Sequence, residues 1–416
     1  MARRSEGLRI DASHLALRLN RCHARLKTGL WRSSLADARS LLKLDRAALP
    51  LAQREKALFR AATAEYSLQL WERAKARFAE LLACNPNSKE AKDGLDRVAS
   101  RIKESKTGSY AWESLFIESQ TNPALDIADW ILPDLRIEDR RGRGRALVAN
   151  RAIQAGQLLM MCKPLASCSY ADVLDGRDMA CANLHSENLE GTAQAHLTQT
   201  IARRLMEDPS LADVFGLLYA GPAYPIPQSF SIARLKPRED VTSAPIDIDT
   251  ARIEAVRTWN SFGRRRLGYA VERGTDDDYP GEEGIRTRVP AGLYVLPSLA
   301  NHACNPSARF DFLGESMYLR ATRDLKAGDE VTISYASGCG YEDRTAALGK
   351  HGIRCGVDCI PCTQDRLDMA EERTERTALL DEIKIQLPPL TSWDPTCKGP
   401  PSHNESYRVM IEIVDE

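Results

Sequence analysis

Three closely spaced cysteines near the C-terminal end of the chain constrain its fold more than any other feature. Cys355, Cys359 and Cys362 are separated by three and two residues, and gaps of about two to four residues are typical of zinc ligands. Closed structural zinc sites take four tetrahedral ligands. The chain must therefore fold so that a residue from elsewhere joins these three.

Cys304 is our candidate for the fourth ligand. It lies in the polar turn over 301–306, and the strands predicted after this turn can bring it back to the later cysteines. Cys339 and Cys397 are the alternatives. A set of free thiols without metal is the competing interpretation, but the gaps between the three later cysteines favour zinc.

The segments after this turn predict a β-rich region. Apolar and polar residues alternate over 308–312, 317–321 and 331–335, with glycine turns between them, and this is the pattern of short strands. The last of these strands ends on Tyr335. Considered singly, a tyrosine at a strand end, or an asparagine or histidine in a turn, is usually structural.

The N-terminal part of the chain is predicted to be helical and contains an internal repeat. Over residues 11–104 apolar and small residues recur at helical spacing, and Leu30-Trp31 recurs forty residues later as Leu70-Trp71. This pattern resembles the tetratricopeptide repeat; a generic pair of helical hairpins is the alternative. Two copies are fewer than the roughly three that a free-standing array needs, so we expect the repeats to pack against the rest of the protein.

The region between the repeats and the β-rich part gives fewer constraints. Residues 105–135 are interpreted as a linker whose apolar side chains dock on a domain. The apolar runs at 145–149 and 158–161, separated by a glycine turn, predict a β-hairpin. Glycines on both sides of Arg143 would let backbone N–H groups approach a ligand closely, although a tight turn is the simpler explanation.

The charge balance and the N-terminus argue against two classes of function. A net charge of -1 over 416 residues disfavours a whole-chain electrostatic grip on nucleic acid or membrane, and the basic stripe of a DNA-binding protein is missing. No signal peptide or membrane-spanning run is evident. We therefore expect a cytoplasmic or nuclear protein, whose eleven cysteines are thiols or metal ligands and not disulfides.

Several motifs, taken together and in order, resemble a SET-domain protein methyltransferase. They are Arg141-Gly142-Arg143-Gly144, Asn260-Ser261-Phe262, Gly292-Leu293-Tyr294, Asn301-His302-Ala303-Cys304-Asn305-Pro306, the strand from Gly328 to Tyr335, and the three later cysteines. The chain is similar to the SET-and-MYND group and to proteins that place tetratricopeptide repeats before a SET domain. The likeness covers residues 130–365 together with the repeats.

This resemblance implies an α+β protein, in which a helical repeat region precedes a β-rich SET fold of short sheets with a pseudoknot. The segments are tetratricopeptide-like repeats over 11–104, a linker or docking segment over 105–135, a SET domain over 136–340 with a helical insert around 163–255, a zinc-bound post-SET cysteine segment over 341–365, and a C-terminal helix with an irregular tail over 366–416.

The resemblance also implies the chemistry of the site. In this family the cofactor is S-adenosylmethionine and the usual substrate is a protein lysine. The residues that it assigns to the cofactor are Arg143, Gly144, Arg145, Asn260, Asn301 and His302, with His302 near the adenine. Tyr335 would be the active-site tyrosine. Zinc held by Cys304, Cys355, Cys359 and Cys362 would be structural.

The chain departs from the family pattern at several positions. Ser307 stands where asparagine is usual, and the first gap between the later cysteines is three residues instead of one. Ile353 stands where an aromatic residue commonly walls the cofactor or lysine channel. No MYND finger is visible, because Cys162, Cys168 and Cys181 lack its paired spacing.

These observations lead to two hypotheses about function. The first is an S-adenosylmethionine-dependent methyltransferase that acts on a protein lysine and whose helical repeats recruit a protein partner. The second is a catalytically weak or silent SET protein that serves as an interaction scaffold. Neither hypothesis includes direct binding to nucleic acid or to a membrane.

Overall fold

The computed structural model of the protein describes most of the chain. The described residues are 11, 14–45, 47–119, 121–140, 144–168, 181–183, 188–225, 228–235, 247–263, 291–336, 340–355 and 359–386. Predicted features outside them include Arg141, Gly142 and the cofactor residue Arg143, the alternative zinc ligands Cys339 and Cys397, and the tail after 386.

Helices make up the N-terminal part, as the apolar periodicity predicts. They are α1 (Leu15–Lys27), α2 (Trp31–Leu42), α3 (Leu51–Ser67), α4 (Trp71–Cys84), α5 (Lys89–Thr107) and α6 (Trp112–Ser119). Short turns join α1 to α2 and α3 to α4, and the second helix of each pair begins at the repeated tryptophan. The sequence repeat is therefore a repeat of structure, while its assignment as a tetratricopeptide repeat stays a prediction.

The turn before each tryptophan has the same left-handed backbone in both copies. Gly29 has a φ of 79°, and its counterpart Gln69 has a φ of 61°. Glutamine adopts this region only at a cost, because its Cβ crowds the backbone there. The Gln69 side chain gains a tertiary contact in return, since its Nε2 donates to Asp129 Oδ2 at 3.3 Å. This contact joins the second copy to the segment that leads into the sheets.

Both repeated tryptophans face a cation from the β-rich part of the protein. The guanidinium of Arg204 lies 4.8 Å from the ring centre of Trp31, and the ammonium of Lys163 lies 6.0 Å from that of Trp71. Cations over indole rings are attracted by the negative face of the ring. The expectation that the repeats pack against the rest of the protein is confirmed.

Asp126 provides a further link between the helices and the sheets. Its carboxylate accepts hydrogen bonds from the Tyr66 hydroxyl at 2.8 and 2.9 Å. It also forms ion pairs with Arg97 at 3.1 Å and Arg101 at 3.3 Å. Charge-assisted hydrogen bonds of this kind are stronger than neutral ones. They hold the segment before the first strand against α3 and α5.

Small sheets follow the helices, as the alternation of apolar residues predicts. Their strands are β1 (Trp130–Ile131), β2 (Leu135–Arg140), β3 (Gly144–Ala149), β4 (Leu158–Cys162), β5 (Ala166–Cys168), β6 (Cys181–Asn183), β7 (Asn188–Glu190), β8 (Ser261–Gly263), β9 (Ala291–Leu293), β10 (Asn301–His302), β11 (Ala308–Leu313), β12 (Ser316–Ala321) and β13 (Thr332–Ile333). The sheet orders are β1-β4-β12-β11, β5-β9-β8, β10-β13, β2-β3 and β6-β7. The fold is thus α+β, with short sheets in its second part.

The predicted hairpin between 145–149 and 158–161 is wrong. Strand β3 pairs with β2 before it, and β4 pairs with β1 and β12. The reason is burial. Residues Leu159, Met160 and Met161 are fully buried, and a continuous apolar run of this kind occupies the middle of a sheet, covered on both faces, and not the edge of a hairpin.

Six more helices follow β7 in the residues that the structure describes. They are α7 (Thr192–Glu207), α8 (Leu211–Phe215), α9 (Thr250–Asn260), α10 (Tyr341–Lys350), α11 (Ile360–Leu367) and α12 (Ala370–Gln386), with short 3-10 helices at Ile232–Leu235 and Pro297–Leu299. Side chains from the segment 105–135, among them Leu115, Ile127 and Trp130, lie in the same apolar core as β4 and β12. In the described part of the chain, no helix has the length and apolar character that crossing a membrane requires.

The cation–π contacts predict a measurable coupling between the repeats and the sheets. In a double-mutant cycle of Trp31→Leu and Arg204→Met, we expect a coupling free energy of about 1 kcal/mol in urea unfolding, because the guanidinium is close to the ring and partly desolvated. The matched cycle of Trp71→Leu and Lys163→Met should give a smaller value, since its distance of 6.0 Å is at the limit of the interaction. A coupling free energy of zero in both cycles, or the same value in both, would contradict the prediction that the Trp31–Arg204 contact is the stronger one.

Candidate functional site

Two segments that are distant in sequence run side by side at the predicted site. Strand β10 pairs in parallel with β13, with Asn301 opposite Thr332 and His302 opposite Ile333. The pairing continues at Ala303, whose N–H donates to the Ile333 carbonyl at 3.0 Å. This pairing brings the polar turn of 301–306 to the strand that ends near Tyr335.

Asn301 joins a third segment to these two. Its Nδ2 donates to the backbone carbonyl of Arg145 at 2.8 Å and to Glu330 Oε1 at 2.8 Å. Both hydrogens of the amide are thereby used within the chain. The start of β3, which contains the predicted cofactor residues Gly144 and Arg145, therefore lies beside the β10–β13 pair.

Ser307, the departure from the usual asparagine, also ties this junction together. The residue is fully buried. Its hydroxyl donates to the Glu330 carbonyl at 2.9 Å and accepts the Thr332 N–H at 2.9 Å. The short serine side chain thus satisfies two backbone groups of the neighbouring segment, so this departure leaves the pairing of the two segments intact.

Tyr335 follows β13 and is held by the β10 side of the junction. Its hydroxyl donates to the Ala300 carbonyl at 2.9 Å, and its backbone N–H donates to His302 Nδ1 at 3.0 Å. The residue is 38% exposed, so one side of it faces solvent while the hydroxyl points inward. Burial of the hydroxyl, with Glu330 nearby, raises the pKa of Tyr335 to about 12. The group is therefore a neutral phenol at physiological pH.

His302 lies between Tyr335 and the cysteines. Because its Nδ1 accepts the N–H of Tyr335, its ring proton in the neutral form is on Nε2, which lies 3.3 Å from Cys304 Sγ. Burial, with smaller contributions from His351 and Arg344, lowers the pKa of His302 to about 4. A neutral imidazole therefore connects the tyrosine to the cysteine cluster.

The four predicted zinc ligands meet in one place. The sulfur atoms of Cys304, Cys355, Cys359 and Cys362 all lie within 4.8 Å of one another. Cys304 Sγ is 3.4 Å from Cys355 Sγ and 3.4 Å from Cys362 Sγ. A tetrahedral zinc with metal–sulfur bonds of about 2.3 Å separates its sulfurs by about 3.8 Å, so the donor set fits that ion.

Without a cation, these clustered thiols resist ionisation. Burial raises the pKa of Cys304 and raises that of Cys355 to about 11, and neighbouring thiols add to the rise for Cys304. Thiolates are the form that ligates zinc, and several negative charges this close repel one another. A divalent cation removes that repulsion and stabilises the deprotonated cluster.

Salt bridges fix the helices that carry the cysteines. Asp365 on α11 pairs with Arg344 on α10 and with Arg376 on α12, the latter at 2.6 Å. Arg344 Nη2 also lies 3.9 Å from Cys362 Sγ. The positive charge beside this sulfur favours its thiolate form. The cysteine segment is thus anchored to both neighbouring helices.

The side chains of Asn260 and Arg145 form hydrogen bonds with backbone carbonyls of the protein. Asn260 is the buried last residue of α9, and its Nδ2 donates to the carbonyls of Tyr219 at 2.7 Å and Val256 at 2.6 Å. The guanidinium of Arg145 is buried and donates to the Leu217 carbonyl, and burial lowers its pKa to about 10. Neither amide hydrogen of Asn260 remains for a ligand.

His351, which the sequence did not single out, lies beside Tyr335. The ring of His351 lies 5.6 Å from that of Tyr335 and 5.4 Å from that of Trp259, centre to centre. Ile353, at the position where an aromatic was expected, is half-buried, and its N–H donates to the Leu348 carbonyl at 2.9 Å. A lone histidine with no motif around it gave no signal in the sequence.

The cysteine cluster generates a prediction about metal content. We expect about one zinc per chain in the purified protein, because four thiolates at these distances form a closed tetrahedral site. Cys304→Ser and Cys355→Ser should each lower the zinc content and the melting temperature. Cys84→Ser on α4, outside the cluster, is the matched control. Zinc content that is low in the parent and equal in all variants would show that the cluster is not a zinc site.

Comparisons with known proteins agree with this geometry. The SET domain family matches residues 144–336. A protein named "Methyltransferase" from Gibberella zeae is 27% identical over 83% of this chain and 47% of its own length. Histone-lysine N-methyltransferase SMYD3 of Mus musculus is 40% identical over 19% of this chain and 18% of its own. Protein-lysine N-trimethyltransferase SMYD5 of Gallus gallus is 32% identical over 22% of this chain and 26% of its own.

The matched regions span less than half the length of each of these relatives. They nevertheless share one description, because all three relatives are named as methyltransferases. The family match begins at Gly144, the first residue of β3, and ends just after Tyr335. It therefore encloses the junction of β3, β10 and β13. The chain therefore contains a SET domain at residues 144–336 and has homology to SMYD-type methyltransferases.

Proposed function

We propose that the protein is an S-adenosylmethionine-dependent methyltransferase that acts on a lysine side chain of another protein. The observation that carries this proposal is the placement of Tyr335, whose hydroxyl is held on the Ala300 carbonyl at 2.9 Å beside the β10–β13 pair. Homology to methyltransferases supports the same chemistry. A neutral phenol and a backbone carbonyl are suited to orienting an amine without charging it.

The residues around the junction fit S-adenosylmethionine. Gly144 has a φ of 69° at the start of β3, a backbone that lets a ligand approach where a side chain would interfere. The residues that we assign to the cofactor are Arg143, Gly144, Arg145, Asn260, Asn301 and His302. Because the amide hydrogens of Asn260 and Asn301 already bond within the chain, these two would offer the cofactor oxygen atoms. The bound cofactor supplies the sulfonium methyl group.

Tyr335 is the residue to which we assign catalysis. Its hydroxyl hydrogen is given to the Ala300 carbonyl, so the oxygen lone pairs remain as acceptors for an N–H of the substrate amine. The amine must lose a proton to solvent before it attacks. The phenol oxygen then accepts an N–H of the neutral amine and so orients the lone pair of the amine nitrogen toward the methyl carbon. Positioning of this kind, without a strong base, accounts for much of the rate in displacement reactions.

The cysteine cluster has a structural role in this proposal. Zinc held by the four thiolates would complete a closed site without an open position for a substrate. It would fix the segment 341–365 beside Tyr335, since Cys304 lies two residues from His302 in the same turn. Folding of this segment would then be coupled to metal binding.

We also assign partner recruitment to the helical repeats. The tryptophan of each copy already contacts the β-rich part through Arg204 or Lys163. A partner would therefore use the solvent-facing surface of the helices, away from both tryptophans. The nearly balanced charge of the chain makes a protein the expected partner, and direct binding to nucleic acid is not part of the proposal.

The scaffold hypothesis rests on Ile353, which stands where relatives commonly have an aromatic channel wall. The two functions separate in one experiment on the full chain. Calorimetry measures the affinity for S-adenosylmethionine, and a labelled methyl donor with a cell lysate, followed by mass spectrometry, identifies methylated lysines. Binding with labelling supports the enzyme, whereas an absence of both supports the scaffold.

Tyr335→Phe tests the catalytic assignment. This variant keeps the ring and removes the hydroxyl, so we expect kcat to fall on the order of 10- to 100-fold because the amine loses its alignment. The Kd of the cofactor should change by less than about twofold, since the phenol acts on the amine and not on cofactor binding.

Tyr318→Phe is the matched control for this substitution. Tyr318 lies on β12 with its ring 5.3 Å from that of Trp112, outside the junction of β10 and β13. Removal of this hydroxyl should leave kcat and cofactor affinity unchanged. The catalytic assignment fails if both variants methylate the substrate as fast as the parent.

The pH dependence of the reaction follows from two pKa values. The substrate lysine has an ordinary pKa of about 10.4, so the fraction of neutral amine and the rate should rise with pH through the range of the assay. The Tyr335 pKa of about 12 keeps the phenol neutral over the same range, so no falling limb is expected below about pH 10. A bell-shaped kcat profile with an upper apparent pKa near 8 or 9, absent in Tyr335→Phe, would contradict this assignment.

A further inference from the structure

Among the described residues, Tyr335 is contacted by side chains from two different parts of the chain. It is 38% exposed, and its hydrogen bonds to described residues go to the β10 side, to Ala300 and His302. Its ring also lies 5.4 Å from the His302 ring. A second ring contact within the described residues comes from a different part of the chain, from His351 at 5.6 Å with an interplanar angle of 59°.

His351 is itself held firmly at the end of α10. It is the residue directly after the helix, and its N–H donates to the Leu348 carbonyl at 2.9 Å. Gly352, with a φ of 67°, then reverses the chain, and the N–H of Ile353 returns to the same Leu348 carbonyl at 2.9 Å. Leu348 is buried. This cap fixes the direction in which the His351 ring leaves the helix.

The other side of the His351 ring faces the end of α9. Its ring centre is 5.4 Å from that of Trp259, at 69°, and Trp259 in turn lies 5.5 Å from Tyr219. Aromatic rings at these distances and tilts attract one another edge to face. His351 thus connects Tyr335 to Trp259, next to Asn260. It also lies four residues before Cys355 of the cysteine cluster.

We propose that His351 is a positioning residue for Tyr335: the imidazole ring of His351 holds the tyrosine ring in one orientation. The orientation of Tyr335 then depends on the folding of the cysteine segment, to which His351 belongs. This inference rests on the proposed function insofar as Tyr335 aligns the substrate. It gives a role to a residue outside every motif of the sequence. It also places an aromatic contact two residues before Ile353.

The imidazole acts here as a neutral ring. Burial lowers the pKa of His351, and the nearest ring partners, Tyr335 and Trp259, offer no carboxylate to stabilise a charged form. The phenyl ring of a phenylalanine at position 351 should therefore hold Tyr335 as the imidazole does, whereas the methyl group of an alanine should not.

The test compares His351→Ala and His351→Phe in the full chain, purified with zinc in the growth medium. We expect His351→Ala to lower kcat about tenfold with little change in the Kd of S-adenosylmethionine, because a loosened Tyr335 misaligns the amine. His351→Phe should restore kcat to within about threefold of the parent. His196→Ala on α7, a half-buried histidine outside the site, is the control for loss of an imidazole.

A second measurement makes the inference independent of activity. Hydrogen–deuterium exchange of the backbone over 332–336 should be faster in His351→Ala and parental in His351→Phe, since the ring contact covers Tyr335. Zinc content and melting temperature show whether each variant keeps the fold. Unchanged exchange and kcat in His351→Ala would overturn the inference. If the parent neither binds cofactor nor methylates, the proposed function fails, and the exchange experiment still decides the role of His351.

Discussion

The parallel pairing of β10 with β13 is the constraint on which the site depends. Parallel neighbours need a crossover between them, and here the crossover contains the β11–β12 hairpin, which is part of the four-stranded sheet. The junction is therefore fixed to the main apolar core. The amide of Asn301 adds the start of β3 to the same place, so three segments from different parts of the chain meet within hydrogen-bonding distance.

The helical repeats are part of the same framework. Their two tryptophans are equivalent in the repeat, and each contacts a cation from a different element of the β-rich part, α7 or the residue after β4. Gln69 keeps a left-handed backbone that its counterpart Gly29 adopts freely, and its contact with Asp129 explains why that conformation is retained. Contacts with the β-rich part thus add to the packing between the two copies.

The sequence predicts those features that depend on local pattern. Helical periodicity located the repeats, alternation located the strands after 308, and cysteine spacing located three of the clustered sulfurs. Cys304 was also found, because a closed zinc site requires a fourth ligand. The pairing of β3 was predicted wrongly, since two apolar runs beside a glycine turn fit a hairpin as well as two strands of separate sheets. Strand pairing is decided by burial on both faces, which local pattern does not report.

His351 shows why some contacts at a site escape sequence motifs. Its ring reaches Tyr335 because α10 ends at Lys350 and Gly352 reverses the chain, so its direction follows from the helix cap and not from its spacing to the cysteines. Ile353 stands at the position where an aromatic residue was expected, but its backbone N–H closes the helix cap by donating to the Leu348 carbonyl. The residue that faces Tyr335 is therefore determined by the position at which α10 ends. In this chain the ring that contacts Tyr335 belongs to His351, two residues before Ile353, so the absence of an aromatic residue at 353 does not by itself imply an incomplete site.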